Sequence, residues 1–189
     1  ESVVWEAKSR KHVLGPHGVS GLVNVELTAD RAVRLASAVA STLPKGSVVT
    51  VGRDHSRAAR AFNRAITGAL TASGMNVRDL RTAAVPIVRA DTANNSASGI
   101  VLRTTPGKPD SLDLLVLDAR GTDISPTVRR TVERAYLTKD FRRPSSREIG
   151  DVVVPHRVAE DYANNLFSAI PVDGLAQASL RVVVDTGGG

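Results

Sequence analysis

The sequence predicts a three-layer α/β/α domain on a mixed, mostly parallel sheet of about four strands. Two patterns and one number carry that expectation. Short runs rich in Val, Ile and Leu (Ser47 to Val51, Met75 to Leu80, Ser98 to Thr104, Ser111 to Asp118) alternate with segments whose apolar residues recur at helical spacing. Strands separated by helices pack as layers around a largely parallel sheet. A hydrophobic content of 42% with 23% charged residues over 189 positions supplies a good-sized core and argues against disorder.

Each element has its own local signal. Thr28 is placed to cap a helix running to Leu43, with Val33, Leu35, Ala36, Val39 and Leu43 on one face and Pro44-Lys45-Gly46 as its stop. Ser47 to Val51 reads as a buried strand. Ser56 or Asp54 caps the next helix, whose apolar face is Phe62, Ala65, Ile66, Ala69 and Leu70, with Gly74 at the usual C-terminal position. Met75 to Leu80 is the second strand, and Val85-Pro86 opens a short helix. Two strands follow, Ser98 to Thr104 and Ser111 to Asp118. Ser125-Pro126 caps a helix to about Leu137, and a loop rich in Arg, Pro and Ser (Arg142 to Arg147) leads to a last helix from Pro155 to about Ile170.

Punctuation by Pro171 and Gly174 sets a domain boundary there. The expected organisation is a linker or the end of a preceding element over residues 1–12, one domain over 13–170, and the opening of a second domain over 171–189. Val182 to Val184 running into Gly187-Gly188-Gly189 has the pattern of a buried strand entering a glycine turn, so the chain reads as part of a longer protein.

Charge and composition narrow the partners. Net charge is +6, and the cations are 20 Arg against 5 Lys. Such an excess suits anionic ligands, while Arg, Ala and Val enrichment is also what a GC-rich genome produces. Aromatics at 3% are too few for a base-stacking platform and the arginines are dispersed, so nucleic acid is not expected. No apolar run approaches the roughly 20 residues of a membrane helix, and no signal peptide is visible. With no cysteine, disulfides, thiol nucleophiles and thiolate metal sites are excluded, and the expected location is the cytoplasm.

Three glycine-bearing loops are candidates for chemistry. Val51-Gly52-Arg53-Asp54-His55-Ser56-Arg57 joins a strand to a helix, where free backbone N–H groups and the helix dipole favour an anion and Gly52 would let it approach. Arg53 and Arg57 add forked donors. The competing reading pairs Arg53 with Asp54 to brace the turn and leaves Arg57, Arg60 and Arg64 on a solvated face; spacing alone favours it. Gly15-Pro16-His17-Gly18-Val19-Ser20-Gly21 lacks a Walker lysine and reads as a plain turn. Arg103-Thr104-Thr105-Pro106-Gly107-Lys108-Pro109 carries two hydroxyls and flanking cations, suited to a phosphate or to a simple β-turn. His12, His17, His55 and His156 have no metal-site spacing, and Asp110, Asp113, Asp118 and Asp123 do not form a calcium loop.

The ordered set Gly18-x-Ser20-Gly21, Val23-Asn24-Val25-Glu26-Leu27-Thr28, Val51-Gly52-Arg53-Asp54 and Gly99-Ile100-Val101-Leu102 resembles the first domain of the α-D-phosphohexomutases (phosphomannomutase and phosphoglucomutase). The resemblance covers Val13 to Asp123 and resumes at Arg181 to Gly189. More closely, the chain is similar to the mutase-like C-terminal region of bacterial fusion proteins that carry a sugar-1-phosphate nucleotidyltransferase and a β-helix upstream. Ser2-Val3-Val4-Trp5-Glu6 resembles the end of that β-helix, and Asp140-Phe141-Arg142-Arg143 with Glu148-Ile149-Gly150-Asp151 the stretch between mutase-like domains.

The resemblance implies where chemistry would sit, and also what is missing. Active mutases carry a Thr-Ala-Ser-His-Asn-Pro type loop whose serine is the phosphoryl carrier; here Thr105 falls at that serine, and Pro106 and Gly107 replace histidine and asparagine. An arginine that helps hold the phosphoserine is Ser20 here. The family's magnesium loop belongs to a later domain. The expectation is therefore a degenerate phosphohexomutase-like domain, with Thr105 at the catalytic position and Arg103, Thr104, Lys108, Ser20 and Arg53 as phosphosugar contacts. It holds no metal or other cofactor by itself, although the active family uses Mg. Expected partners are a phosphosugar, the remainder of the parent chain and further copies in a homo-oligomer. The alternatives are an active mutase using Thr105 or Thr104, and a purely structural oligomerisation module.

Overall fold

The computed structural model describes residues 13–170 together with Gly174, Ala178 and residues 181–185. The stub Ser2 to Glu6 lies outside the described residues. Strands β1 (Gly18–Leu22), β2 (Val48–Arg53), β3 (Asn76–Thr82), β4 (Ser98–Thr105), β5 (Lys108–Leu117) and β6 (Val152–Val153) alternate with helices α1 (Ala29–Ser41), α2 (Arg57–Ala72), α3 (Val85–Asn95), α4 (Pro126–Thr138) and α5 (Val158–Ala169).

Capping explains the helix limits. The Ser56 hydroxyl accepts the Ala59 N–H at 3.1 Å and starts α2, and Ser125 accepts from Val128 to start α4. Thr28 stands at the N-cap of α1, but its hydroxyl donates to Asp30 at 2.6 Å instead of capping. α1 stops at Ser41, short of the expected Leu43, because Thr42 and Leu43 donate to carbonyls three residues back, which tightens the turn before Pro44. α5 begins at Val158 rather than Pro155, after Arg157 turns through a left-handed conformation (φ 63°). The buried face of α2 is Ala59, Phe62, Ile66, Ala69 and Leu70, as spacing predicts, with Asn63 buried among them and Ala65 only half-buried.

The sheet has six strands in the order β1-β5-β4-β2-β3-β6. The β2–β3, β2–β4 and β3–β6 pairs are parallel, and β4–β5 and β1–β5 are antiparallel. Mixed and mostly parallel is correct; about four strands is too few. The two extra strands are the edges. β1 reads as a turn because its five residues include two glycines, and it is held as a strand by pairing Gly18 with Leu115 through Leu22 with Ser111 on β5. β6 is two residues long and follows β3 through Val77–Val152 and Arg78–Val153, too short for any periodic signal.

Alternation along the central strands feeds two cores of unequal size. Ile100, Leu102, Leu112, Leu114 and Val116 face the layer of α1, α2 and α4, with Val49, Val51, Leu35, Val39, Phe62, Ile66 and Tyr136. Val101, Leu115, Leu117 and Leu80 face the other way, onto Val88 of α3. α5 packs beside α3 but buries no residue, leaving Leu166 and Phe167 exposed. Gly52 belongs to this second packing: a Cβ there would meet Val88 Cγ2 at 2.4 Å. Its smallness admits a helix to the sheet, and not an anion, as the sequence suggested. Val182 to Val184 are exposed and unpaired with the sheet among the described residues.

Candidate active site: a carboxylate-bound threonine hairpin

Strand alternation sends the side chains of Thr104 and Thr105 to opposite faces of the sheet. β4 and β5 are joined by a two-residue turn, Pro106-Gly107, closed by the Thr105–Lys108 pair. Gly107 takes φ +74°, which suits a Pro-Gly turn with the glycine second. The segment that could have been a phosphate loop is therefore a tight hairpin end.

On one face, Asp54 receives Thr104. Its Oδ2 accepts the Thr104 N–H at 2.6 Å and the Thr104 hydroxyl at 2.8 Å, and its Oδ1 accepts the Ser56 N–H at 2.9 Å. Burial pushes the Asp54 carboxyl up, but the Thr104 and Ser56 hydrogen bonds outweigh it and hold the group below the usual aspartate range. The expected Arg53–Asp54 ion pair does not form. Arg53 donates to the Asp54 backbone carbonyl at 2.9 Å and to the Thr82 hydroxyl at 3.0 Å, because the Asp54 carboxylate is already taken by β4 and the α2 cap.

On the other face, β1, β5 and β4 bring Ser20, Asp113 and Arg103 into register side by side. The buried Asp113 accepts the Ser20 hydroxyl and the Thr105 hydroxyl on Oδ1, both at 2.5 Å, and Arg103 Nε on Oδ2 at 3.1 Å. Burial raises its carboxyl, while these donors more than offset that and leave it lowered. Ser20 and Arg103 line a cleft of about 320 Å³ with His17, Pro16 and Leu115. At its rim Asp123 ties His17 (2.6 Å) to Arg89 of α3 (2.7 Å).

Of the residues singled out by sequence, Ser20, Arg103 and Thr105 thus meet on one carboxylate. Thr104 meets a different one. Lys108 is exposed just beyond the turn and its ammonium has no partner among the described residues. Arg53 lies elsewhere, in a basic cleft with Arg60, Arg64 and Arg81. Sequence reasoning missed Asp54 as the anchor of Thr104 and Asp113 as the hub. An Asp flanked by leucines in Leu112-Asp113-Leu114 is the signal that was available, since a carboxylate inside an apolar strand must find donors.

A sequence model of the phosphoglucomutase/phosphomannomutase alpha/beta/alpha domain I matches residues 11–143. The chain belongs to the phosphoglucomutase/phosphomannomutase family. The phosphoglucosamine mutase of Frankia casuarinae is 31% identical over 92% of this chain and 40% of its own length. A phosphoglucomutase/phosphomannomutase of Thermococcus kodakarensis is 25% identical over 94% of this chain and 40% of its own. The chain spans about 40% of the length of these curated relatives. A phosphoglucomutase/phosphomannomutase family protein from Burkholderia thailandensis has the same fold, with a TM-score of 0.67 at 20% identity over 80% of this chain and 34% of that one.

Within a phosphohexomutase domain I the hairpin stands where the resemblance puts the carrier loop, and its hydroxyls are spoken for by carboxylates of this chain. The same carboxylates bear on magnesium, which the active family uses. Asp54 and Asp113 each already accept three hydrogen bonds from hydroxyl, amide or guanidinium donors. Among the described residues no three His, Asp or Glu side chains converge on a point that would hold a cation. The described residues by themselves do not fit that ion.

Proposed function

We propose that this is a degenerate phosphohexomutase-like domain of a sugar-nucleotide biosynthesis protein, which binds a phosphosugar or supports assembly and does not itself transfer a phosphoryl group. One observation carries the reading. The Thr105 hydroxyl donates to Asp113, as it would to a general base, but the same carboxylate also pairs with Arg103, so an incoming phosphoryl group would meet a guanidinium already neutralised where transfer needs free cations. Ser20 and Arg103, which would hold the phosphate, are drawn to the same carboxylate. With the Thr104 N–H and hydroxyl both given to Asp54, any phosphosugar contact here is left to Lys108, the open side of Arg103 and, apart from the hairpin, Arg53.

The rest of the reading follows from the resemblance. The parent protein carries a nucleotidyltransferase and a β-helix upstream, forms a homo-oligomer in the cytoplasm, and continues at 171–189 into a second mutase-like domain. Alignment with the relatives over 92% of the chain, beyond the domain I match ending at Arg143, supports that last point.

The test uses the intact parent protein with magnesium, a hexose 1-phosphate and a hexose 1,6-bisphosphate primer, followed by mass spectrometry. The expected result is no hexose 6-phosphate and no phosphothreonine. Turnover with phosphate on Thr105 or Thr104, lost in Thr105→Ala, would establish an active mutase instead.

A further inference from the structure

Arg57, Arg60 and Arg64 are exposed on α2 and spaced three and four residues apart, so they stand on one face over about 10 Å of helix. Arg81, at the end of β3, is exposed beside them and shares a cleft with Arg60 and Arg64. Elsewhere the sheet and its loops pair their arginines: Arg78 with Asp91, Arg89 with Asp123 and Arg103 with Asp113. α2 has no such partner to offer, because residues 57–72 contain no Asp or Glu. The neighbouring carboxylates are committed as well. Asp54 accepts from Thr104 and Ser56, and Asp79 accepts from the Asn63 amide at 3.3 Å and the Arg81 backbone N–H at 2.9 Å. The side chains of the four arginines therefore have no hydrogen-bond or ion-pair partner among the described residues. Like charges four residues apart on a helix repel, and here one carboxylate, Asp79, faces several guanidinium groups without pairing with any. The ladder is under-compensated within the domain.

We infer that this face of α2 docks an acidic polypeptide segment, one that lays three or four carboxylates along the helix. Guanidinium forks take carboxylates in bidentate pairs. The length of the ladder sets the kind of occupant. A single small anion reaches one or two of the four groups, whereas carboxylates on alternate residues of an extended segment repeat about every 7 Å and run alongside all of them. The exposed stripe continues through Ala61, Gly68 and Ala72, whose small side chains leave nothing to obstruct that segment. It holds no aromatic residue on which bases would stack, which favours a protein over a single-stranded nucleic acid. The inference goes beyond the reading above, because it uses no residue of the threonine hairpin.

Fluorescence anisotropy of a fluorescein-labelled octaglutamate peptide with the full-length protein tests it. Saturable binding is expected with a Kd below about 100 μM in about 50 mM salt, weakened at least about threefold in about 200 mM salt by screening. An octaglutamine peptide should not bind. Arg60→Gln and Arg64→Gln should each weaken binding about threefold to tenfold, and adding Arg57→Gln to the pair should abolish it, all with unchanged circular dichroism. Arg130→Gln with Arg134→Gln, which strips the same kind of charge from exposed positions of α4, should change affinity by less than about twofold. Absence of saturable binding, or an equal loss in the α2 and α4 variants, overturns the proposal. A single-stranded oligonucleotide of the same length that binds more tightly than octaglutamate through the same arginines overturns the acidic polypeptide as the occupant.

Discussion

Replacing Asp113 by Ala removes the hub that joins three strands, and the cost can be worked from its contacts. Two hydroxyl donors at 2.5 Å and one guanidinium at 3.1 Å converge on the carboxylate. Hydrogen bonds to a charged group contribute about 1.5–3 kcal/mol each. Much of that gross sum returns, because Ser20 is exposed and the Arg103 side chain is 38% exposed, so both rehydrate, and because the variant no longer buries a charge. A net loss of about 3 kcal/mol remains, a fall in Tm of roughly 6–12 °C for a domain of this size. The assay is thermal and urea unfolding of Asp113→Ala, Thr105→Val and the double variant. Thr105→Val should cost clearly less when Asp113 is already absent, since the pair acts as one unit. A loss below about 1 kcal/mol for Asp113→Ala, or strict additivity in the cycle, would refute the claim that this carboxylate ties β1, β4 and β5 together.

Four further outcomes are expected. Gly52→Ala should destabilise by about 1–3 kcal/mol in chemical denaturation, since its methyl group would collide with the fully buried Val88. Asp91→Ala should cost about 3 kcal/mol in the same measurement: it strands the Arg78 guanidinium (bonds of 2.7 and 3.1 Å) and releases Thr50 and Asn95. Asp54, Asp113 and Asp123 are held below the ordinary range in the folded state, so the unfolded chain takes up protons first as pH falls. Stability is then complete above about pH 4 and declines as pH drops through the folded values, which acid-unfolding curves will show. Glu148, bonded by Lys45 and by Ser145, should titrate at about 2 by NMR and return toward the ordinary glutamate range in Lys45→Gln.

The layered fold was legible because helix and strand periods differ sharply in the central elements. Ile100 to Leu102 and Leu114 to Leu117 are continuous apolar runs, Val48 to Val51 is broken only by Thr50, and Ser56 and Ser125 cap as their positions announce. The edges were not legible. β1 owes its strand conformation to β5, some ninety residues away in sequence, and no local pattern in Gly18-Val19-Ser20-Gly21-Leu22 encodes that partner. The site was half legible for the same reason. The loop's hydroxyls and cations marked Arg103, Thr104 and Thr105, and the family resemblance marked Ser20, but their roles depend on Asp54 and Asp113, which reach them only through cross-strand register. Gly52 was read as an approach for a ligand because a strand-to-helix turn invites it, whereas the space it leaves is filled by α3.

The unequal cores also set the order in which the domain loosens. Amides of β2, β4 and β5 beneath α1, α2 and α4 lie under the larger apolar layer, and their release requires global unfolding. α5 buries nothing and β6 has only two residues against β3, so that corner opens at far lower free energy. Solvent deuterium will therefore enter first through β6, α5 and the solvent face of α3, while β4 keeps its protons longest. The rim of the cleft that holds Arg103 is tied to α3 by the Arg89–Asp123 bond, so that rim belongs to the slowly exchanging region only as long as α3 stays docked.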